Sequence, residues 1–203
     1  MIKKIVVKIL RVLAVKHGRF TRVYLKLANL TSTQYADYLR ETKFLYRQGI
    51  NNSFNKGANF TDPHLVSVGS NCVFSDCTLM CHDGSIAVLN SIFNDKFDSI
   101  GKIEIGDNVF IGHGAIIMPN VTIASNVIVA AGAVVTKNVN AREIVAGVPA
   151  KPISTVDEFA KKTKARMQDY PWLSLILKRE GAYDPAMEDE LTRLRQMHYF
   201  KKN

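Results

Sequence analysis

A chain of 203 residues, of which 47% are hydrophobic and 22% charged, is long enough to bury a core and has a globular protein's composition. The net charge is +9, and residues 1–50 hold 11 of the 27 Lys and Arg residues but two of the 18 acidic residues. Residues 51–203 are therefore neutral overall. They show no aromatic-basic platform, which argues against a nucleic-acid-binding protein.

Residues 1–16 form a basic amphipathic segment, with Ile5, Ile9 and Val12 near one helical face and lysines on the other. Charges interrupt its apolar run, which argues against a signal peptide or a membrane span. The helix either lies on an anionic membrane surface or covers the rest of the fold or a neighbouring subunit. A second helix is predicted from an N-cap at Thr33 to Gly49.

A six-residue period begins imperfectly near Leu65 and is lost after the His82-Asp83-Gly84 step, before it returns at Ile105. Residues 85–102 are therefore an insertion, and insertions in repeat proteins carry function more often than structure.

The three cysteines, Cys72, Cys77 and Cys81, are odd in number and crowded. This pattern favours small buried residues over disulfides, and its spacing fits zinc poorly. A reducing cytoplasm is the default compartment for such a chain.

The stretch from Ile105 to Lys151 carries the strongest pattern. Aliphatic residues recur every six positions, at Ile105, Ile111, Ile117, Ile123, Val129 and Val135. A helix needs a period near 3.6 and a plain strand a period of 2, so neither fits. The pattern predicts a parallel β-helix in which each hexapeptide forms one face of a triangular prism and every third repeat stacks above the first. Asn, Asp, Gly and Ser suit the corners.

After Ala150 the period becomes helical, and helices are predicted over 155–171, over 172–181 and from 184 onward. Thr155 and Glu158 provide a capping box for the first of them. These helices are expected to cover the open end of the β-helix or to pack between subunits. The predicted organisation is a basic helical segment (1–60), a β-helix (61–153) with its insertion, and a helical extension (154–203).

The order HDG, insertion, IGDNVFIGHGAIIMPNVTI and AGVPAK resembles the hexapeptide-repeat acyltransferases, the left-handed β-helix family. The match covers roughly Leu65 to Ile153. It is most similar to the O-acetyltransferases of sugars and cell-surface polysaccharides, whose capsule- and O-antigen-modifying members are also expected to carry a basic N-terminal helix. The resemblance implies a left-handed solenoid, a homotrimer with active sites between neighbouring prisms, and acetyl-CoA as donor.

His82 matches the catalytic histidine of that family. Acetyl transfer to a hydroxyl needs a base, and imidazole suits this because its pKa lies near working pH. Asp83 either orients the ring or binds the corner backbone, and Asp76 is a weaker candidate for orienting it. His64 lies 18 residues earlier and is a candidate to stack beneath His82.

Transfer is expected to be direct, in a ternary complex, since no Ser-His-Asp arrangement or reactive-cysteine setting requires an acyl-enzyme. Cys81, beside His82, leaves a covalent route open.

The resemblance also implies a donor set, which comprises His113, Ala131, Gly132, Thr136, Lys137 and Lys151. Ala131 and Gly132 let the pantetheine amides approach the backbone. Lys137 and Lys151 match basic positions near the CoA phosphates and nucleotide, although they also fit ordinary surface lysines. His113 stands where relatives carry a small residue.

The acceptor is expected to be selected by residues 85–102, which include Asn90, Asp95 and Lys96. No metal is predicted, because His82 and His113 lack the close third histidine of the γ-class carbonic anhydrases that share this solenoid.

These residues predict an acetyl-CoA-dependent O-acetyltransferase of a sugar hydroxyl in a surface polysaccharide or its precursor, located in the cytoplasm or at the inner membrane face. The alternatives are an N-acetyltransferase of an amino sugar nucleotide and a non-catalytic trimeric scaffold.

Overall fold

A computed structural model describes residues 2–181 and 183–200. The chain divides into two compact units, the first ending at Val156 and the second beginning at Asp157. The first unit opens with three helices, α1 Ile2–His17, α2 Thr21–Ala28 and α3 Ser32–Glu41. Its strands are β1 Arg47–Gln48, β2 Ser53–Phe54, β3 Asn59–Phe60, β4 Val66–Val68, β5 Val73–Phe74, β6 Thr78–Leu79, β7 Ile103–Ile105, β8 Phe110–Ile111, β9 Ile116–Ile117, β10 Thr122–Ile123, β11 Ile128–Val129, β12 Val134–Val135, β13 Glu143–Ala146 and β14 Lys151–Thr155.

Successive strands lie on successive faces of a prism. Face A holds β1-β4-β7-β10, face B holds β14-β13-β11-β8-β5-β2, and face C holds β12-β9-β6-β3. All neighbours pair in parallel except β14, which runs antiparallel to β13. The chain therefore winds as a solenoid and returns to the same face once per coil.

The aliphatic ladder lies inside the prism. Ile111, Ile117 and Ile123 belong to faces B, C and A, and all three side chains are buried. Residues 18 apart stack in register, as in the pairs Ile105↔Ile123, Ile111↔Val129 and Ile117↔Val135. The predicted parallel β-helix is confirmed.

The corners follow the same period of six. Left-handed backbone occurs at Asn108, Gly114, Asn120, Asn126 and Gly132, with φ between 56° and 69°. Each of these residues directly precedes a buried small or branched side chain. Asn and Gly are the residues that tolerate this conformation best, so the corner chemistry of the sequence sets the turn.

The solenoid begins earlier than expected, at Arg47 rather than at residue 61. Its first coil is offset by 20 residues, as in the pairs Arg47↔Ser67 and Ser53↔Val73. Aromatic rings fill this end of the prism, where Phe54 stacks on Phe74 with centroids 4.7 Å apart. A longer coil filled with aromatic residues breaks the aliphatic six-residue pattern, which is why the boundary was placed too late.

The second predicted helix is also shorter than expected. α3 is capped by Thr31, not Thr33, and the cap is a reciprocal one with Gln34. The helix ends at Glu41, and Gly49 lies at a solenoid corner, where an added Cβ would overlap the backbone of Gly69.

The N-terminal helices pack on the solenoid. Ala14 of α1 and Tyr24 of α2 are buried in the same hydrophobic cluster as the prism interior. Arg11 forms an ion pair with Glu41, with 2.7 Å between Nη2 and Oε2. The hairpin of α1 and α2 is therefore part of the first unit and not a free tail.

The second unit contains α5, which starts at the boundary as Val156–Met167, with α6 Leu173–Lys178 and α7 Pro185–Phe200. These helices lie within the predicted ranges. Trp172 is buried and stacks on Tyr170, with centroids 4.6 Å apart. Within the described ranges, no helix combines the length and apolarity that crossing a bilayer requires.

The insertion contains a helix, α4 Ile86–Phe93, which ends at Asn94 in left-handed backbone. None of the α4 side chains is buried. Its apolar residues Val88, Ile92 and Phe93 are exposed.

Candidate active site

His82 lies at the corner where the chain leaves face C and enters the insertion. Ile100 pairs with it through an antiparallel bridge, so both ends of the insertion are tied together at this corner. The Asp83 N–H donates to Ser99 O at 3.0 Å, and the Gly101 N–H donates to Cys81 O at 2.7 Å. The His82 side chain is 51% exposed, so the imidazole faces the surface and not the prism interior.

Asp62 is the carboxylate that contacts His82. Its Oδ2 lies 2.5 Å from His82 Nδ1, and the Thr61 hydroxyl also donates to it, at 3.1 Å. The hydrogen bond from His82 lowers the pKa of the Asp62 carboxyl. An ionised carboxylate here accepts the Nδ1–H and selects that tautomer, which leaves Nε2 free to accept a proton.

The sequence analysis did not find Asp62, and three of its expectations need correction. Asp83 does not orient the ring, since its Oδ1 accepts from the Ser85 N–H at 2.9 Å, which is the corner-binding alternative. Asp76 supports a different corner, where it accepts from the Gly57 N–H at 3.1 Å. His64 lies in a 3₁₀ turn, and Asp62 takes the place beside His82 that had been considered for it.

A signal for Asp62 was present in the sequence. Phe54, Phe60 and Val66 are spaced six apart and are all buried, so the period could have been extended backwards through aromatic residues. The extended first coil would have placed Asp62, and not His64, near His82.

The cysteines are free and buried. Burial raises the pKa of the Cys81 thiol to about 11 and that of Cys77 to about 12. A thiol is nucleophilic as its thiolate, so a protonated, buried Cys81 is a poor acyl acceptor beside His82.

The second corner, between faces B and C, carries three of the predicted donor residues. The His113 side chain is exposed, and its Nδ1 lies 3.7 Å from Asp76 Oδ2. The Gly132 N–H donates to His113 O at 2.8 Å, so these residues stack one coil apart. Gly132 has φ 69° and open space where a side chain would stand, and Ala131 is exposed beside it.

His82 and His113 thus lie at opposite edges of face C. Within one chain they occupy different corners of the prism, so a single copy does not bring the catalytic and donor residues of the sequence analysis into one cleft.

The remaining donor residues meet at the carboxyl end of the solenoid. Thr136, Lys137 and Lys151 line one cavity of about 240 Å³, together with Pro149 and Glu143. The Glu143 carboxylate accepts from the backbone and side-chain N–H groups of Asn140, each at 3.0 Å. Two ammonium groups beside an already bonded carboxylate leave this cavity suited to an anionic ligand.

The insertion residues named for the acceptor hold the insertion's own backbone. Asn90 Oδ1 accepts from the Phe97 N–H at 2.6 Å, and Asp95 Oδ1 accepts from the Lys96 N–H at 2.7 Å. Their predicted role in acceptor selection stays a prediction. Across residues 2–181 and 183–200, no three His, Cys, Asp or Glu side chains are grouped as metal ligands.

Comparison with known proteins gives a family match and several relatives. The bacterial transferase hexapeptide family, described as six repeats, matches residues 102–137. Protein CapG of Staphylococcus aureus is 41% identical over 103 residues, which are 50% of this chain and 59% of CapG. A putative acetyltransferase of Schizosaccharomyces pombe is 31% identical over 106 residues, 51% of this chain and 49% of that protein. The chain therefore spans about half the length of these relatives.

A third relative, the putative acetyltransferase YvoF of Bacillus subtilis, is 27% identical over 71% of this chain and 84% of its own length. Among solved structures, a maltose O-acetyltransferase from Clostridium difficile 630 matches with a TM-score of 0.50 and 23% identity, over 71% of this chain and 88% of that one. The resemblance found in the sequence and the left-handed β-helix fold are confirmed.

Proposed function

Because the chain carries the bacterial transferase hexapeptide repeat, we propose that it is an acetyl-CoA-dependent O-acetyltransferase of a sugar hydroxyl in a surface polysaccharide or its precursor. The observation that carries this proposal is the His82–Asp62 pair, a surface imidazole whose Nδ1 is held by a carboxylate at the mouth of the insertion. CapG and the putative acetyltransferases are the relatives that support the choice of reaction.

The proposed reaction uses Nε2 of His82 as the base. It takes the proton of the acceptor hydroxyl while that oxygen attacks the thioester carbonyl, and the acetyl group passes to the sugar as the CoA thiol leaves. Asp62 holds the tautomer and stabilises the imidazolium that forms. Transfer is direct in a ternary complex, which agrees with the buried, protonated thiol of Cys81.

Acetyl-CoA fits two features of the chain. The exposed corner at Ala131 and Gly132 leaves backbone open to the amides of a pantetheine arm. The cavity of Thr136, Lys137 and Lys151 offers ammonium groups to the phosphates at the nucleotide end.

The active assembly proposed here is a homotrimer. His82 and His113 lie at opposite edges of face C, so a cleft containing both corners requires two copies of the chain. Face B also presents an apolar stripe to solvent, in which Val73 and Phe110 are register neighbours and are 42% and 39% exposed. Burying this stripe between copies would stabilise the assembly.

The enzyme is further proposed to work in the cytoplasm, at the inner face of the cell membrane. Ile5, Ile9 and Val12 of α1 are exposed on one stripe while Ala14 is buried. Val23 and Leu27 of α2 are also exposed. Eight basic residues and no acidic residue lie between residues 2 and 36, so the charge is complementary to anionic lipid.

The test is an acetyl-transfer assay with the purified full chain, acetyl-CoA and matched hydroxyl and amino sugar acceptors. Transfer to a hydroxyl that falls about a hundredfold or more in His82→Ala supports the proposal. Transfer only to an amine favours an N-acetyltransferase. No transfer, with no acetyl-CoA-induced change in Tm, favours a non-catalytic scaffold.

A further inference from the structure

Face A carries a cavity that neither the donor nor the catalytic residues use. It has a volume of about 400 Å³, and its walls include Tyr46, Arg47, His64, Ser67, Lys102 and Glu104. Arg47, Ser67 and Glu104 are stacked in register on β1, β4 and β7, while Val66 and Val68 on the same strands point into the core. The alternation of strand side chains thus places this polar column on the outside of face A.

The cavity begins at the corner that holds the His82–Asp62 pair. One wall is tied to Asp62, because His64 follows it by two residues and the Tyr46 N–H donates to Pro63 O at 3.2 Å. The other wall is tied to His82, because Lys102 follows Gly101, the residue next to the His82 bridge partner Ile100. A ligand in the cavity is therefore adjacent to the proposed base without crossing the prism.

The charges in the cavity are unevenly matched. Lys102 is paired with Glu104, with 2.8 Å between Nζ and Oε2. Arg47 takes part in no ion pair within the described part of the chain, and its side chain is exposed. A guanidinium presents a planar fork of N–H donors that matches a carboxylate or phosphate bidentately.

The other walls suit a sugar. Tyr46 is 78% exposed, so its ring offers a flat apolar surface to the ring of a saccharide. Ser67 and Glu104 supply a hydroxyl and a carboxylate that can hydrogen-bond to sugar hydroxyls. A concave site with an aromatic wall and a few placed polar groups is typical of small-molecule sites.

We propose that the cavity of Arg47, His64, Lys102 and Tyr46 is an acceptor subsite for an anionic sugar, whose carboxylate or phosphate group pairs with Arg47 while a neighbouring hydroxyl reaches His82. This assignment rests on the proposed acetyltransferase function and names its substrate class. Anionic sugars are distinguished from neutral ones by Arg47, and Tyr46 holds the ring.

The test measures binding of single sugars by NMR titration of the full chain without acetyl-CoA. The probes are methyl β-glucuronide, glucose 6-phosphate and methyl β-glucoside, which carry a carboxylate, a phosphate and no charge. At least one anionic probe is expected to bind about tenfold or more tightly than the glucoside, and which of them does identifies the anionic group. The preference is expected to weaken at high ionic strength.

The matched variants are Arg47→Ala, Arg47→Lys and Arg19→Ala. Arg47→Ala should abolish the preference, Arg47→Lys should retain part of it, and Arg19→Ala, which removes an exposed arginine outside the cavity, should leave it unchanged. Far-UV circular dichroism checks that each variant folds. Equal binding of all three sugars, or a preference that survives Arg47→Ala, overturns the subsite.

The same titrations separate this assignment from the function on which it rests. Acetyl transfer to neutral sugars without an Arg47-dependent anionic preference leaves the acetyltransferase proposal standing and removes the subsite. Arg47-dependent binding of an anionic sugar by a chain that transfers no acetyl group does the opposite.

Discussion

A histidine near the surface becomes a useful base when its second ring nitrogen is held. The Nδ1 of His82 is held by Asp62, and Asp62 is in turn bonded by the hydroxyl of Thr61, which also accepts from the Cys81 N–H at 3.0 Å. These contacts link two coils, so the ring orientation is fixed by the stacking of the solenoid and not by the mobile end of a loop.

The two aspartates near His82 provide a direct comparison at the residue scale. Asp62→Asn removes the charge that selects the tautomer, and we expect kcat to fall about a hundredfold or more with little change in the KM for acetyl-CoA. Asp83→Asn, whose carboxylate bonds the Ser85 N–H, is the control and should change kcat by less than about threefold. Steady-state kinetics of both variants decide this, and equal losses would contradict the role of Asp62.

Asp62 also predicts how stability depends on pH. Its pKa is lowered in the folded protein by the hydrogen bond with His82, whereas in the unfolded chain it returns to about 3.9. The pair therefore contributes stability above the unfolded pKa, and that contribution is lost as the pH falls through the folded pKa.

The Tm difference between wild type and Asp62→Asn should accordingly be constant near neutral pH and shrink as the pH is lowered below about 4. Thermal unfolding followed by circular dichroism from pH 7 to pH 3 measures it. A difference that grows with acidification would place the stabilising charge on another group.

At the scale of elements, the α1–α2 hairpin has two apolar surfaces. Ala14 and Tyr24 face the core, while Ile5 and Ile9 are 52% and 56% exposed. Deleting the segment would uncover the core, so a loss of membrane binding in such a deletion would not identify the surface responsible. Single exposed positions give the sharper test.

Ile5→Ser/Ile9→Ser should weaken binding to phosphatidylglycerol vesicles about tenfold or more, because each isoleucine buries apolar surface in the lipid interface. The control, Ile153→Ser, removes an equally exposed isoleucine from β14 and should bind as wild type does. Co-sedimentation with vesicles measures both. Wild-type binding that is equally strong to phosphatidylcholine vesicles would exclude the electrostatic part of the proposal.

The elements differ in how far the sequence could predict them. From Ile105 to Val135 each coil has 18 residues and one aliphatic residue per face, so the period specifies both register and burial. The coil from Arg47 to Val66 has 20 residues and buries Phe54 and Phe60, so the aliphatic pattern fails there. Asp62 was missed because its contact with His82 crosses between that coil and the next.

The whole molecule poses a question of assembly that one chain cannot answer by itself. The predicted catalytic corner and the predicted donor corner bound the same face C, which ends in opposite corners of the prism. Closed rotational symmetry would bring the donor corner of one copy to the catalytic corner of the next, and would create as many identical clefts as there are copies. Assembly and activity are then expected to be lost together.

Phe110→Glu tests this, because Phe110 stands in the exposed stripe of face B next to Val73 and Ile128. A buried carboxylate in a subunit interface is costly, so we expect the variant to sediment as a monomer, keep the wild-type circular dichroism spectrum and lose acetyl transfer about a hundredfold or more. Tyr183→Glu, which changes an exposed tyrosine of the second unit, is the control and should remain assembled and active. Analytical ultracentrifugation gives the mass, and a monomeric variant with full activity would show that a single prism suffices for the chemistry.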